Sequence, residues 1–153
     1  MYTERLAPNL SKQSRQVWDS IRQNRDPSGY LAHIKCHFFS QMVRFNAGTQ
    51  FHKDSRSCWS GFDAIAVFGR YDGGELQFPD LECGFPSRPS DLFLIRGAAL
   101  KHDAAGWAGD GRMVVALFSD RRVFVHECIS RPEDLLPVYG QAQKSFWQEH
   151  PCI

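Results

Sequence analysis

Two histidines and a carboxylate stand where a single metal ion could be held. His52 and Asp54 are separated only by Lys53. On a β-strand successive side chains alternate faces, so a pair two apart projects to one side. His102 supplies a second imidazole from far along the chain. Two neutral imidazoles and one carboxylate make the facial set that holds non-haem Fe(II) and leaves coordination positions open. Arg112 follows ten positions later, a permanent cation whose planar fork suits a carboxylate. A His-x-Asp triplet alone arises by chance, and a lone strand histidine usually packs or faces solvent. The combination points to a metal site.

Those residues need a scaffold. Residues 62–69 read as a buried strand, 71–74 (Tyr-Asp-Gly-Gly) as a tight turn, and 75–79 as a half-buried strand. An apolar run over 91–95 ends at Arg96-Gly97, and two more strands are expected over 112–119 and 123–126, joined by a turn at Asp120-Arg121-Arg122. Residues 33–45 are too long for one regular strand and read as two, or as one with a bulge. Short strands at even spacing predict an all-β core, a jelly roll or barrel over about 33–127. Before it, Leu10, Val17, Trp18 and Ile21 share a face of a helix over about 10–25, which Asp26-Pro27-Ser28-Gly29 ends. After it, Ser130 with Glu133 and Pro132 forms a capping box, so helices are expected over 131–149.

Composition narrows the class. The chain has 153 residues, 42% of them apolar and 23% charged, which describes one globular domain. A net charge of +1 favours neither nucleic acid nor an acidic membrane. No apolar run reaches the roughly 20 residues of a membrane span, and the N-terminus lacks the apolar centre of a signal peptide. Five cysteines without a CxxC pair fit a reduced, intracellular setting, cytoplasmic or nuclear.

The wider frame resembles a known family. His-x-Asp, then His after 47 intervening residues, then Arg after nine more, is similar to the Fe(II)/2-oxoglutarate dioxygenases. Gly73-Gly74-Glu75-Leu76, the Pro89-Ser90-Asp91 turn into a strand, then His102 and Arg112 look like the TET/JBP-like branch, its fungal single-domain members above all. The resemblance covers about residues 40–127. It implies a double-stranded β-helix in which His52, Asp54 and His102 bind Fe(II) and Arg112 binds the far carboxylate of 2-oxoglutarate. O2 would be the oxidant, and the products would be succinate, CO2 and a hydroxylated C–H. Two positions depart from the family pattern. Phe45 stands where relatives with an Arg-Tyr-x-x-Gly lead-in carry a tyrosine hydroxyl, so another partner, a serine or a water, is expected for the cosubstrate. Val114 stands where some members carry serine.

Arg56, Arg70, Tyr71 and Trp59 are the candidate substrate contacts, with Arg96 and Trp107 also near the mouth in sequence. His33, His37, His126 and His150 read as structural. The substrate reading favours a small molecule or an exposed side chain, because a chain of this size and charge offers little surface for displaced strands of nucleic acid. The alternative is oxidation of a methylated base in DNA or RNA. A barrel without catalysis and a cupin-type enzyme without 2-oxoglutarate are disfavoured by the complete ligand set and by Arg112.

Overall fold

The computed structural model describes residues 5–34 and 36–131. The helices expected over 131–149 lie outside the described residues, which end at Arg131. The chain divides into two compact units, one made of the segments up to His37 and from Arg121 on, the other spanning Phe38–Asp120.

In the first unit, α1 (Pro8–Arg25) starts with proline in its first turn, where a missing N–H costs nothing. Leu10, Ser11, Ser14, Val17 and Trp18 are buried along one stripe at helical spacing. Arg22 and Arg25 in the last turn oppose the negative end of the helix dipole. A 3-10 turn at Tyr30–His33 follows, and α2 is Arg121–His126. The strand expected over 123–126 is therefore a helix. Four apolar and ring-bearing residues cannot separate the two by periodicity. Here the Glu127 N–H bonds to the Val123 carbonyl, an α-turn, and Phe124 is fully buried while Val125 is exposed. The buried Glu127 carboxylate accepts from the Ser20 hydroxyl at 2.6 Å and pairs with Arg25 Nε at 3.3 Å. Within residues 33–45, the strand is confined to the last six. His33 closes the 3-10 turn, and neither it nor His37 lies on a strand.

The second unit carries seven strands among the described residues: β1 Ser40–Phe45, β2 Asp63–Gly73, β3 Glu75–Phe78, β4 Cys83–Pro86, β5 Leu92–Ile95, β6 Asp103–Ala104 and β7 Trp107–Phe118. They form two antiparallel sheets, ordered β1-β7-β2-β5 and β4-β3-β6. Asp72 and Gly73, expected in a turn, instead extend β2, and the chain reverses over Gly73 and Gly74, both at positive φ. Buried Leu76 and Phe78 of one sheet meet Ile95 of the other, with Ile65, Phe93 and Leu100 packed around them. Burying each such side chain stabilises by roughly 1.5–3 kcal/mol.

β2 and β7 form the long central pair, in register from Ala64 opposite Leu117 to Gly69 opposite Arg112. Gly69 sits at φ +120°, and a side chain there would overlap the Gly111 carbonyl. Only glycine lets the two backbones meet at this point. The register then shifts between Arg70 and Asp72, a bulge that re-aims the end of β7.

Candidate metal centre

Period-two alternation lines one cavity of about 290 Å³ in the second unit. β1 contributes Met42 and Arg44, β2 Asp63 and Ile65, and β7 Arg112, Val114, Ala116 and Phe118. His52, Asp54 and His102 line the same cavity, as do Lys53, Ser55, Arg56 and Ser57.

No regular strand carries His52 and Asp54. A single bridge joins His52 to His102 instead, with the His52 N–H bonded to the His102 carbonyl at 3.0 Å and the His102 N–H to the His52 carbonyl at 2.9 Å. The Asp54 N–H bonds to the Gly97 carbonyl at 2.9 Å. These links bring residues some fifty positions apart within reach of one another. The imidazole centroids lie 4.5 Å apart.

Hydrogen bonds orient both rings. His52 Nδ1 lies 2.8 Å from the Gln50 carbonyl, and His102 Nδ1 lies 3.0 Å from the Leu100 carbonyl. A carbonyl only accepts, so each Nδ1 carries a proton and each Nε2 is turned the other way. His52 Nε2 stands 3.5 Å from Asp54 Oδ1, and His102 Nε2 stands 3.5 Å from Asp54 Oδ2. Ligand atoms of all three residues fall within 4.8 Å of one another. Neutral imidazoles would set acceptors against acceptors here, an arrangement that a shared cation relieves. Main-chain carbonyls orienting both rings is the support that metal-binding histidines commonly receive. Nitrogen and carboxylate donors together suit a first-row divalent ion, Fe(II) among them.

Asp63, missed by the sequence reading, stands behind this group. Burial pushes its carboxyl up to about 7, and the Asp54 charge adds to the rise against hydrogen bonds from Ser57 and the Gly97 N–H. A side chain on Gly97 would overlap both the Asp54 and Asp63 carboxylates, so one there would displace both acids. Only a buried strand flanked by glycine-bearing turns was visible beforehand.

Arg112 is 5% exposed, and its Nε has no hydrogen-bond partner. Its guanidinium carbon lies 4.7 Å from the centre of the Trp107 ring and 5.5 Å from that of Tyr71. No carboxylate pairs with it among the described residues. A buried guanidinium with aromatic faces beside it and no carboxylate partner among the described residues is suited to an anionic ligand.

The four candidate substrate contacts separate. Arg56 lines the cavity and is exposed. Tyr71 is buried, stacks on Arg112 and donates its hydroxyl to the Ser87 carbonyl at 2.8 Å. Arg70 and Trp59 are exposed and do not line the cavity. Arg96 packs over the Phe62 ring. Phe45 is 69% exposed and is absent from the cavity wall, which its neighbour Arg44 lines instead. Ser55 and Ser57 line that wall. Four described cysteines, Cys36, Cys58, Cys83 and Cys128, are free thiols. No helix among the described residues is long and apolar enough to cross a membrane.

No protein-family model and no curated protein matches the sequence. Solved structures do match. NgTET1 in complex with 5mC DNA superposes with a TM-score of 0.53 at 20% identity, over 71% of this chain and 42% of that one. The two chains share a fold. This chain spans less than half the length of the NgTET1 chain. Protein NMB1881 from Neisseria meningitidis matches at a TM-score of 0.35 and 14% identity, over 60% of this chain and 95% of that one, too low to carry an argument.

Proposed function

We propose that this chain is a TET/JBP-like oxygenase dependent on Fe(II) and 2-oxoglutarate, built on a double-stranded β-helix, and that it oxidises a methylated base in nucleic acid. The observation that carries the reaction class is the convergence in one cavity of three metal-ligating side chains and a buried guanidinium whose Nε has no protein partner.

In this reading His52, Asp54 and His102 hold Fe(II), and Arg112 pairs with the distal carboxylate of 2-oxoglutarate. Bound iron, the cosubstrate and O2 together supply C–H hydroxylation with release of succinate and CO2. The chain's own work is positional. Main-chain carbonyls keep both Nε2 lone pairs directed at one point, Trp107 and Tyr71 keep the guanidinium plane fixed, and burial strengthens its pairing with a carboxylate.

On the substrate, two supports favour the base over the small molecule expected from size and charge. The shared fold is with a protein whose structure was solved with 5mC DNA. Arg44, Lys53 and Arg56 are exposed and line the cavity, and although Lys53 also pairs with Asp80 at 3.7 Å, they offer phosphates cationic contacts at its edge. A base in duplex would have to be flipped out to reach the cavity.

The test is incubation with Fe(II), 2-oxoglutarate and methylated or unmethylated oligonucleotides, followed by mass spectrometry of the bases. Hydroxymethylated or formylated base together with succinate is the expected result. Succinate formation without base oxidation would return the substrate to the small-molecule class, and no 2-oxoglutarate consumption at all would remove the reaction class.

A further inference from the structure

We infer that Asn46 is a positioning residue for Arg112, setting how the guanidinium meets a carboxylate ligand; the inference rests on the 2-oxoglutarate reading above. Asn46 follows the last residue of β1 and is bonded to β7 at Arg112 and Asp110 in three ways. Its N–H donates to the Arg112 carbonyl at 2.8 Å. Its Oδ1 accepts the Arg112 N–H at 2.8 Å, and its Nδ2 donates to the Asp110 carbonyl at 2.6 Å. The side chain thus holds β7 on both sides of Gly111.

The backbone explains why this residue is an asparagine. Asn46 adopts φ +46°, the left-handed region that few side chains enter and that asparagine tolerates. That turn takes the chain out of β1 while letting the carboxamide reach back across the strand pair. Aspartate would lose the donor, and alanine would lose both bonds and pay for the conformation.

Arg112 is therefore fixed from three directions. Asn46 pins its main chain from one side, and Gly69 on β2 allows close backbone approach from the other. Trp107 and Tyr71 hold the far end of its side chain. Loosening one of these supports leaves the cation in place but widens the range of angles at which it meets a ligand. A two-point pairing loses strength when its donor fork is tilted.

The experiment compares the full chain with its Asn46→Gly and Asn46→Ala variants. Anaerobic titration of the Fe(II)-loaded proteins with 2-oxoglutarate gives the dissociation constant by calorimetry. Hydrogen exchange on the metal-free proteins follows the Arg112 amide. Both variants are expected to bind 2-oxoglutarate about tenfold more weakly, equivalent to about 1.4 kcal/mol. Both should exchange the Arg112 amide faster and keep the parent's iron stoichiometry. Alanine, strained at positive φ, should melt below glycine yet lose no more affinity. Affinity that follows melting temperature across the variants would reduce Asn46 to a structural residue. Parental affinity in Asn46→Gly overturns the inference alone, whereas a parent that binds no 2-oxoglutarate overturns the reading beneath it. Should glycine unfold the chain, Asn46→Ser removes the same bonds, and the same outcomes decide.

Discussion

At the scale of single residues, each side chain in the cavity is held in an electrostatic state that has a consequence. His52 and His102 turn their Nε2 atoms toward the two oxygens of Asp54. His52→Ala and Asp54→Ala should therefore each lower Fe(II) content after anaerobic loading, and unchanged stoichiometry in both would end the assignment. Asp54→Glu should fail too, since one methylene moves the ligand oxygen by about 1 Å. Arg112→Ala should keep its iron and its fold but lose cosubstrate affinity by two to three orders of magnitude or more, from roughly 3–5 kcal/mol of broken buried pairing. The visible charge-transfer band of the bound cosubstrate is the measurement. Asp63 gives a pH prediction. Its folded pKa of about 7 stands above the unfolded value of 3.8, so the folded state holds the extra proton between them. The stability this confers is full below pH 3.8 and is lost as pH rises through 7. Metal-free Asp63→Asn should lose that dependence and exceed the parent near pH 8 by at most about 4 kcal/mol. Urea titrations across the range decide it, and a parent with flat stability from pH 4 to 8 would contradict the assignment.

At the scale of elements, the β2–β7 pair aims Arg112, and its glycines are tied to that task. Gly69→Ala meets the Gly111 carbonyl and a backbone angle foreign to alanine, so a loss above about 4 kcal/mol or failure to fold is expected. Gly29→Ala is the control. Gly29 also has positive φ, but no atom lies within 4 Å of the added methyl, so the cost should stay near about 1–2 kcal/mol. Equal losses in the two denaturation curves would mean that close approach at Gly69 is unimportant.

At the scale of the whole molecule, charge distribution outweighs net charge. Arg44, Lys53 and Arg56 sit together at one cavity although the chain as a whole carries only +1. If phosphates cross that rim, oligonucleotide affinity should fall with salt. Arg44→Ala and Arg56→Ala should each reduce the log–log slope by roughly 0.7–0.9, the share of one phosphate contact. Fluorescence anisotropy at several salt concentrations measures this, and an unchanged slope in both variants would place any nucleic acid elsewhere.

The chain alone determined what local spacing can encode. The period of α1 and the strands around residues 63–68, 75–78 and 92–95 were legible, because a side chain's direction repeats every 3.6 or 2 residues. His-x-Asp with a later His and Arg was legible as a set of residue types, but not through strand alternation, since no regular strand carries His52 and Asp54. Spacing failed where a segment was too short to show a period, as at Val123–His126, which became a helical turn. Asn46, Asp63 and Gly97 acquired their places at the site only in three dimensions. So did Tyr71, whose ring packs against the Arg112 guanidinium. Their roles depend on partners 34 to 66 positions away, such as Arg112 for Asn46 and Gly97 for Asp54 and Asp63. Burial, the loss of a hydrogen-bond partner and the meeting of two carboxylates over one bare Cα are properties of packed neighbours. No local pattern carries them, because sequence distance does not limit which atoms tertiary folding brings into contact.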